Sequence, residues 1–260
     1  MTFYKYHGAG NDFIILDQRD QAVLNLNDEE VIAKLCNRHF GIGADGLMWI
    51  EHSDHADFKM IYLNSDGRPS SMCGNGGRCI VALALRLGVF SGSECTFEAI
   101  DGLHDAIILK DGKVSLKMND VTDIARVGKA YVLDTGSPHY VRFVDNLEDL
   151  NVVDEAQKIR YSPDFVQQGI NVNFIQVRDG ALDIRTYERG VEDETLACGT
   201  GVTAAALVYA HLQDVKNSFE VSVRARGGDL QVKFEKRDNL FSDIWLIGPV
   251  EKVFEGQVLL

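Results

Sequence analysis

The sequence predicts an α+β fold of two pseudo-symmetric halves, each a mixed, mostly antiparallel sheet curled like a barrel around a central buried helix. Three observations lead to this prediction. A Cys-Gly-x-Gly motif occurs at residues 73–76 and recurs, almost half a chain later, at 198–201. An almost wholly apolar segment follows each motif, as a buried helix requires. Turn residues separate short strand-like segments in both halves.

Each half opens on the same kind of segment. Residues 8–17 and 136–145 both begin with a glycine-containing turn and continue as an apolar strand that ends in aspartate. A polar helix is predicted next in each half, near 27–38 and at 151–160. Both helices carry acidic residues in the first turn and basic residues near the end, which suits the helix macrodipole.

An extended segment then leads into each cysteine motif, at 57–66 and at 182–188. The helices after the motifs are predicted over 77–87 and 202–212. Their residues are apolar or small on nearly every face, which is typical of a helix inside a core.

Short strands joined by tight turns end each half. The four dipeptides that predict type I′ hairpin turns are Asp101-Gly102, Asp111-Gly112, Asp179-Gly180 and Gly227-Gly228.

The two halves are predicted to meet near residues 119–120. Residues 1–118, completed by a strand that returns within 250–260, would form the first half, and 119–249 the second. Four prolines and the lack of a low-complexity segment argue against a long disordered linker.

Composition excludes several classes of partner. The formal net charge is −13, and the sequence contains no cluster of basic residues. Neither nucleic acid nor an anionic membrane surface is therefore an expected partner. No segment has the apolar length of a spanning helix or the pattern of a secretory signal. Five cysteines without framework spacing indicate reduced thiols and a cytoplasmic location.

A thiol at the N-terminus of a buried helix is suited to acid–base chemistry. Unpaired backbone N–H groups and the helix dipole favour a thiolate there, and they favour a carboxylate beside it. If two such termini face each other, a substrate α-carbon can lie between Cys73 and Cys198. One sulfur would remove a proton and the other would deliver one to the opposite face, as a racemase or epimerase requires. No cofactor is expected, and no metal site is predicted, because the histidines are scattered.

Other interpretations remain open at this stage. A cysteine near a buried helix is often a small core residue, which is the expectation for Cys36, Cys79 and Cys95. Each glycine pair could be a turn without chemistry. A nucleophilic thiol could instead use a histidine base; the candidates are His7, His39 and His139.

The chain resembles the diaminopimelate epimerase family, whose members interconvert LL- and meso-diaminopimelate without a cofactor. The resemblance covers essentially the whole length. It is carried by GAGNDFIILD, RHFGIGADG, MCGNGGRC, GSPH, INVNF and YERGVEDETLACGTG, which occur in the family's order.

The resemblance implies that Cys73 and Cys198 are the catalytic acid–base pair, in a cleft between the two halves. It also implies a small-molecule substrate, diaminopimelate, a role in lysine and cell-wall precursor biosynthesis, and a homodimer. The residues that it implies for substrate binding are Asn11, Asn64, Gly74, Asn75, His139, Asn171, Glu188, Arg189, Gly199 and Thr200.

One position departs from the family pattern. Ser137 stands in GSPH, where many members have asparagine, and a serine hydroxyl reaches less far. Two alternatives to diaminopimelate epimerisation are kept. One is a related two-cysteine racemase or epimerase that acts on another amino acid, such as proline or hydroxyproline, and the other is a thiol redox switch.

Overall fold

The computed structural model describes residues 1–70, 72–213 and 216–259 of the chain. Over these residues the protein forms 17 strands and four helices, which confirms the predicted α+β class. None of these helices has the length and apolarity needed to cross a membrane. Internal contacts divide the chain into two compact units: a first unit of Met1–Leu116 with Gly248–Leu260, and a second unit of Lys117–Ile247.

The first unit is a single sheet with two helices. Neighbouring strands pair in chain order from β1 to β7, parallel for β2 with β3 and β4 with β5, and antiparallel for the others. The elements are β1 (Thr2–Gly8), β2 (Asn11–Asp17), α1 (Glu29–Cys36), β3 (Gly46–Glu51), β4 (Phe58–Asn64), α2 (Gly74–Arg86), β5 (Glu94–Ala99), β6 (Gly102–Ile108) and β7 (Val114–Lys117).

The second unit repeats this connectivity. The elements are β8 (Ala125–Val127), β9 (Ala130–Asp134), β10 (Pro138–Phe143), α3 (Val152–Arg160), β11 (Asn171–Arg178), β12 (Ala181–Glu188), β13 (Asp193–Thr195), α4 (Gly199–Leu212), β14 (Asn217–Ala225), β15 (Gly228–Arg237) and β16 (Leu240–Gly248). The parallel pairs are β10 with β11 and β12 with β14, the same places as in the first unit. Short strands β8 and β13 pair with β9 and β12.

The chain then returns to the first unit. Strand β17 (Glu251–Gln257) pairs antiparallel with β1, from Thr2 opposite Gln257 to His7 opposite Glu251. The N-terminal amine of Met1 and the backbone of Val258 extend this pairing by two hydrogen bonds.

One helix lies at the centre of each unit. Helix α2 contacts β1, β2, β3 and β6, and α4 contacts every strand from β9 to β12 together with β14 and β15. Because each helix touches strands that are far apart in the sheet, each sheet curls around its helix. In neither unit do the described strand pairs close into a ring. The side chains of Ala204, Ala205 and Ala206 in α4 are fully buried, so the strands pack closely on this helix.

Both central helices begin earlier than the sequence predicts. They start at Gly74 and Gly199 rather than at 77 and 202. Glycine has a low helix propensity, which makes such a start hard to recognise from sequence. The first turns are nevertheless formed, since Gly77 N–H donates to the carbonyl of Cys73 and Val202 N–H to that of Cys198.

The turn predictions are confirmed at one dipeptide. Asp179 and Gly180 both have positive φ, 52° and 75°, as a type I′ turn requires. Ala9 and Gly10 form an equivalent turn between β1 and β2, with φ of 53° and 82°. This turn was not predicted, because alanine is an unusual residue at positive φ.

The other three type I′ predictions are wrong. The loop between β5 and β6 consists of residues 100–101, and that between β14 and β15 of residues 226–227, so each lies one residue before the predicted dipeptide. At Asp111-Gly112 only the glycine has positive φ, within the loop of residues 109–113 between β6 and β7. Each of these loops still joins antiparallel strands.

Replacing Ala205 by leucine should lower the free energy of unfolding by about 1–3 kcal/mol, because the added carbons have no space against the surrounding strands. Urea denaturation measures the change. Ala125→Leu, at an exposed position in β8, is the matched control and should stay within about 0.5 kcal/mol of the original protein. Equal stability of the two variants would contradict tight packing around α4.

Candidate functional site

Both motif cysteines are the N-cap residues of the central helices. Cys73 precedes α2 with φ −107° and ψ 121°, and Cys198 precedes α4 with φ −112° and ψ 113°. The prediction that each thiol lies at a helix N-terminus is therefore confirmed. Cys73 is partly exposed and Cys198 is 7% exposed. Each sulfur thus lies beside backbone N–H groups that carry partial positive charge.

In the first unit, Asn11 presents its side-chain oxygen to the cysteine. Its Nδ2 donates to Oδ2 of Asp45 at 2.7 Å, which fixes the orientation of the amide. Its Oδ1 then accepts from Sγ of Cys73 at 3.7 Å and from Nδ2 of Asn75 at 3.2 Å. A carbonyl oxygen can only accept, so this contact suits a protonated thiol at Cys73.

Asp45 is itself held by a cluster of charges. Nη2 of Arg38 lies 2.8 Å from Oδ1 of Asp45 and 2.7 Å from Oδ1 of Asp12, and Lys5 Nζ lies 2.6 Å from Oδ2 of Asp12. Burial alone would raise the pKa of Asp12, but hydrogen bonds from Arg38 and Lys5 hold it at about 2. Asp12 therefore stays ionised near neutral pH, and the cluster keeps Asn11 in place.

In the second unit, donors point towards the cysteine. Cys198 Sγ accepts from the backbone N–H of Gly201 at 3.4 Å and lies 3.4 Å from Oγ1 of Thr200. Nε2 of His139 is 2.8 Å from the same hydroxyl, and Nδ1 of His139 is 3.1 Å from Nδ2 of Asn173. The direction of these bonds follows from Asn173.

Nδ2 of Asn173 also donates to the carbonyl of Tyr140 at 3.0 Å, and its Oδ1 accepts from Thr186, so the amide orientation is determined. His139 Nδ1 must therefore accept, and Nε2 carries the hydrogen and donates to Thr200. The Thr200 hydroxyl, which accepts from His139, can then donate its own hydrogen to Cys198. Burial lowers the pKa of His139 to about 3, and the charge of Arg189 acts in the same direction. The ring is neutral at physiological pH.

A second group of polar side chains surrounds Asn171. Its Oδ1 accepts from the backbone N–H of Arg189 at 2.9 Å, and its Nδ2 donates to Oγ of Ser137 at 2.8 Å. The guanidinium of Arg189 is exposed, with Nη1 donating to the carbonyl of Gln168 at 2.9 Å. Glu188, at the end of β12, accepts from the hydroxyl of Thr195.

The predicted site residues thus form separate groups within the units. Asn11, Cys73, Gly74 and Asn75 lie together in the first unit, whereas Asn64 is exposed at the end of β4. His139, Cys198, Gly199 and Thr200 lie together in the second, and Asn171, Glu188 and Arg189 lie around the end of β12.

The other three cysteines are buried, as predicted. Burial raises the pKa of Cys36 and of Cys95 to about 12, and it raises that of Cys79 as well. None of them is poised as a base. Across the three described segments, no three His, Cys, Asp or Glu side chains converge as metal ligands would.

Two residues of the site were not found from the sequence. Asp45 orients Asn11, and Asn173 sets the tautomer of His139. Asn173 lies two residues after Asn171 on the same strand, so a period of two could have placed both on one face. Asp45 has no local signal of this kind, because its partner is distant in sequence.

The buried, neutral His139 should make stability depend on pH. The unfolded chain binds a proton near pH 6.5 that the native ring does not accept until about pH 3, so stability falls as pH decreases through this window. In urea denaturation at pH 7, 6 and 5, the original protein should lose stability faster than His139→Gln. The difference should approach about 1.4 kcal/mol per pH unit well below pH 6.5. Parallel curves would contradict a neutral native ring.

Comparison with solved structures identifies the fold. A PhzF-family phenazine biosynthesis protein from Bacillus anthracis superposes with a TM-score of 0.78 at 14% identity, covering 100% of this chain and 99% of the other. A probable proline racemase from Agrobacterium radiobacter K84 gives 0.72 at 17% identity, covering 100% and 93%. At these identities the likeness shows a shared fold.

Comparison with known sequences identifies the family. The family model described as diaminopimelate epimerase matches residues 3–124 and 131–253. A diaminopimelate epimerase from Flavobacterium psychrophilum is 48% identical over 99% of this chain and 100% of its own length. One from Chlorobaculum tepidum is 44% identical over 97% and 99%, respectively. The chain therefore belongs to the diaminopimelate epimerase family.

Proposed function

We propose that this chain is an amino-acid epimerase that interconverts LL- and meso-diaminopimelate, without a cofactor, in lysine and cell-wall precursor biosynthesis. The observation that carries the proposal is the pair of matched thiols, each at the N-terminus of a buried helix. Relatives named diaminopimelate epimerase, 48% and 44% identical over nearly the full length, support the choice of substrate.

The reacting carboxylate would bind to the first turns of α2 and α4. The backbone N–H groups at the start of a helix have no intrahelical acceptor, and the helix dipole favours an anion there. We propose that the amides around Gly74-Asn75 and Gly199-Thr200 share one α-carboxylate. The proposed halves, 1–118 with 250–260 and 119–249, would then present Cys73 and Cys198 to opposite faces of one α-carbon.

The hydrogen bonds at the two sulfurs support a proposal for their starting roles. Cys198 accepts from Gly201 and lies beside the Thr200 hydroxyl, which favours its thiolate. Cys73 donates to the oxygen of Asn11, which favours its thiol. In one turnover Cys198 takes the α-proton and Cys73 supplies a proton to the other face. The roles are reversed when the product is converted back.

His139 contributes without touching the substrate in this proposal. Its ring is 0% exposed, and its Nε2–H reaches Thr200 rather than the surface. The hydroxyl of Thr200 accepts this hydrogen bond, which leaves its own hydrogen directed at Cys198 in the proposed mechanism.

Two effects would lower the barrier to proton removal. Charge from the carbanion spreads into the carboxylate, and each N–H donor aimed at it contributes about 10²–10³ in rate. Each positioned acid or base contributes about 10²–10⁴. Since both effects weaken in water, substrate binding must also exclude solvent from the α-carbon.

Distal recognition would use the group around Asn171. Arg189 is the candidate for the distal carboxylate, because a guanidinium can bind a carboxylate through two parallel hydrogen bonds. Asn64, Asn171 and Glu188 would bind the remaining groups of that centre. Ser137, which accepts from Asn171, replaces the longer amide of many relatives.

The assembly and location are part of the same proposal. A homodimer and a cytoplasmic location are expected from the family resemblance, the five cysteines and the acidic composition. Size-exclusion chromatography with light scattering would give the mass of the assembly, and a monomer would contradict the homodimer.

The first test follows deuterium into the product. Purified protein with LL-diaminopimelate in D₂O, with a chelator and without pyridoxal phosphate, should form meso-diaminopimelate that carries deuterium at one α-carbon. Cys73→Ala and Cys198→Ala should each lower the turnover number by at least about 10²-fold, because each removes an acid–base group. Cys95→Ala, at a buried position in β5, is the matched control and should retain turnover.

Three outcomes of this test would contradict the mechanism. Product without deuterium would exclude exchange of the α-proton with solvent. A rate abolished by the chelator would indicate a metal. Absence of turnover, with reversible oxidation of Cys73 and Cys198, would favour the thiol redox switch.

The second test separates diaminopimelate from proline. Arg189→Ala should lower kcat/KM for diaminopimelate by about 10²-fold or more, because a charge-assisted, bidentate contact is lost. Proline and hydroxyproline have no second amino-acid group for Arg189 to bind. Arg178→Ala, another exposed arginine of the second unit, is the control. If Arg189→Ala left kcat/KM unchanged, or if proline were the better substrate, the racemase alternative would replace this proposal.

A further inference from the structure

Arg78 is a buried cation beneath the first turn of α2. Its side chain is 0% exposed. Nη1 donates to the carbonyl oxygen of Gly74 at 3.2 Å, and Nη2 donates to Oδ1 of Asn75 at 2.8 Å. Nε is buried as well and has no hydrogen-bond partner among the described residues. The guanidinium therefore lies inside the core, next to the helix end that carries Cys73.

Two glycines leave room for this side chain. A Cβ on Gly248 would lie 3.0 Å from Cζ, Nε and Nη2 of Arg78, and one on Gly8 would lie 3.3 Å from Nη2. Neither glycine has a positive φ. The close approach of the guanidinium, rather than the backbone conformation, is what a side chain at these positions would disturb.

The charge of Arg78 is not balanced by the groups that it contacts. Both accepting oxygens belong to neutral groups, a backbone carbonyl and a side-chain amide. Burial lowers the pKa of Arg78, whereas negative charge at Cys79 or Cys73 would raise it. A guanidinium still keeps its proton in a protein. A buried cation of this kind is unfavourable unless an anion lies nearby.

The second unit satisfies the same helix end without a charge. Thr203 follows Cys198 by five residues, as Arg78 follows Cys73. Its Oγ1 donates to the carbonyl of Gly199 at 3.1 Å, the counterpart of the bond from Arg78 to Gly74. A hydroxyl is therefore sufficient for this carbonyl, and the need for a hydrogen bond does not explain a buried cation.

We propose that Arg78 is a positioning residue for the reacting carboxylate, an inference that rests on the proposed function. Its two donors fix the first peptide of α2 and the side chain of Asn75. Asn75 in turn donates to the Asn11 oxygen beside Cys73. The buried charge favours an anion at the N-terminus of α2, and favours it more strongly as carbanion charge spreads into the carboxylate. The anion that balances Arg78 is then the substrate itself.

Kinetics of three variants test the proposal. Arg78→Met removes the charge and should lower kcat about 10²-fold with a smaller change in KM, because the interaction strengthens as charge develops. Arg78→Lys keeps the charge but loses the pair of guanidinium hydrogen bonds to Gly74 and Asn75, so it should have a kcat between those of Arg78→Met and the original protein. Arg86→Met is the matched control, since it removes an exposed arginine from the last turn of the same helix. It should behave like the original protein.

A second measurement needs no turnover. Without substrate, the rate of Cys73 alkylation by iodoacetamide is followed against pH by mass spectrometry of its peptide. Loss of the positive charge should move the half-maximal rate to higher pH in Arg78→Met, but not in Arg78→Lys or Arg86→Met. Cys79 does not interfere, because its own buried thiol stays protonated.

The outcomes separate this inference from the proposed function. If Arg78→Met matches Arg86→Met in both kcat and alkylation profile, the role of Arg78 is overturned. If the original protein does not epimerise diaminopimelate, the proposed function fails, while the alkylation profile still tests the charge. Circular dichroism checks folding. Arg78→Lys replaces Arg78→Met if the latter does not fold. A kcat for Arg78→Lys equal to that of Arg86→Met would then overturn the positioning role of the two guanidinium hydrogen bonds.

Discussion

The structure depends on the burial of a helix whose first-turn N–H groups have no acceptor within the helix itself. In each unit the sheet curls around the central helix, which packs on four strands in the first unit and on six in the second, so its position is set by the packing of these strands. A residue at the N-cap of such a helix cannot shift without repacking the core. The positions of Cys73 and Cys198 are thus determined by the folds of the two units rather than by mobile loops.

The internal repeat places different partners beside the two thiols. Asn11 and His139 occupy the same position of the repeat, at the start of β2 and β10, and both serve the N-cap region of their unit. Asn11 offers an acceptor to Cys73, whereas His139 offers a donor that Thr200 relays to Cys198. In the proposed mechanism, these different partners suit an acid in the first unit and a base in the second.

Local pattern and long-range contact account for what the sequence could and could not predict. The repeat, the central helices and the helix-end cysteines were predictable, because they depend on spacing and on apolar periodicity. The glycine-rich helix starts were not, since tertiary packing overrides propensity there. Asp45 and Arg78 gain their roles from partners brought together by the fold. Arg78 in particular was hidden as one polar residue in an apolar helix.

The strand β17 sets the order in which the units can be completed on the ribosome. It pairs with β1, yet every strand of the second unit is synthesised before it. Until β17 is synthesised, β1 pairs with β2 on one edge and has no partner strand on the other. The first unit can therefore be completed only after the second unit has left the exit tunnel. Such a contact between distant parts of the chain is slow to form. During synthesis the exposed edge of β1 is a natural place for chaperone binding or for mispairing with another nascent chain.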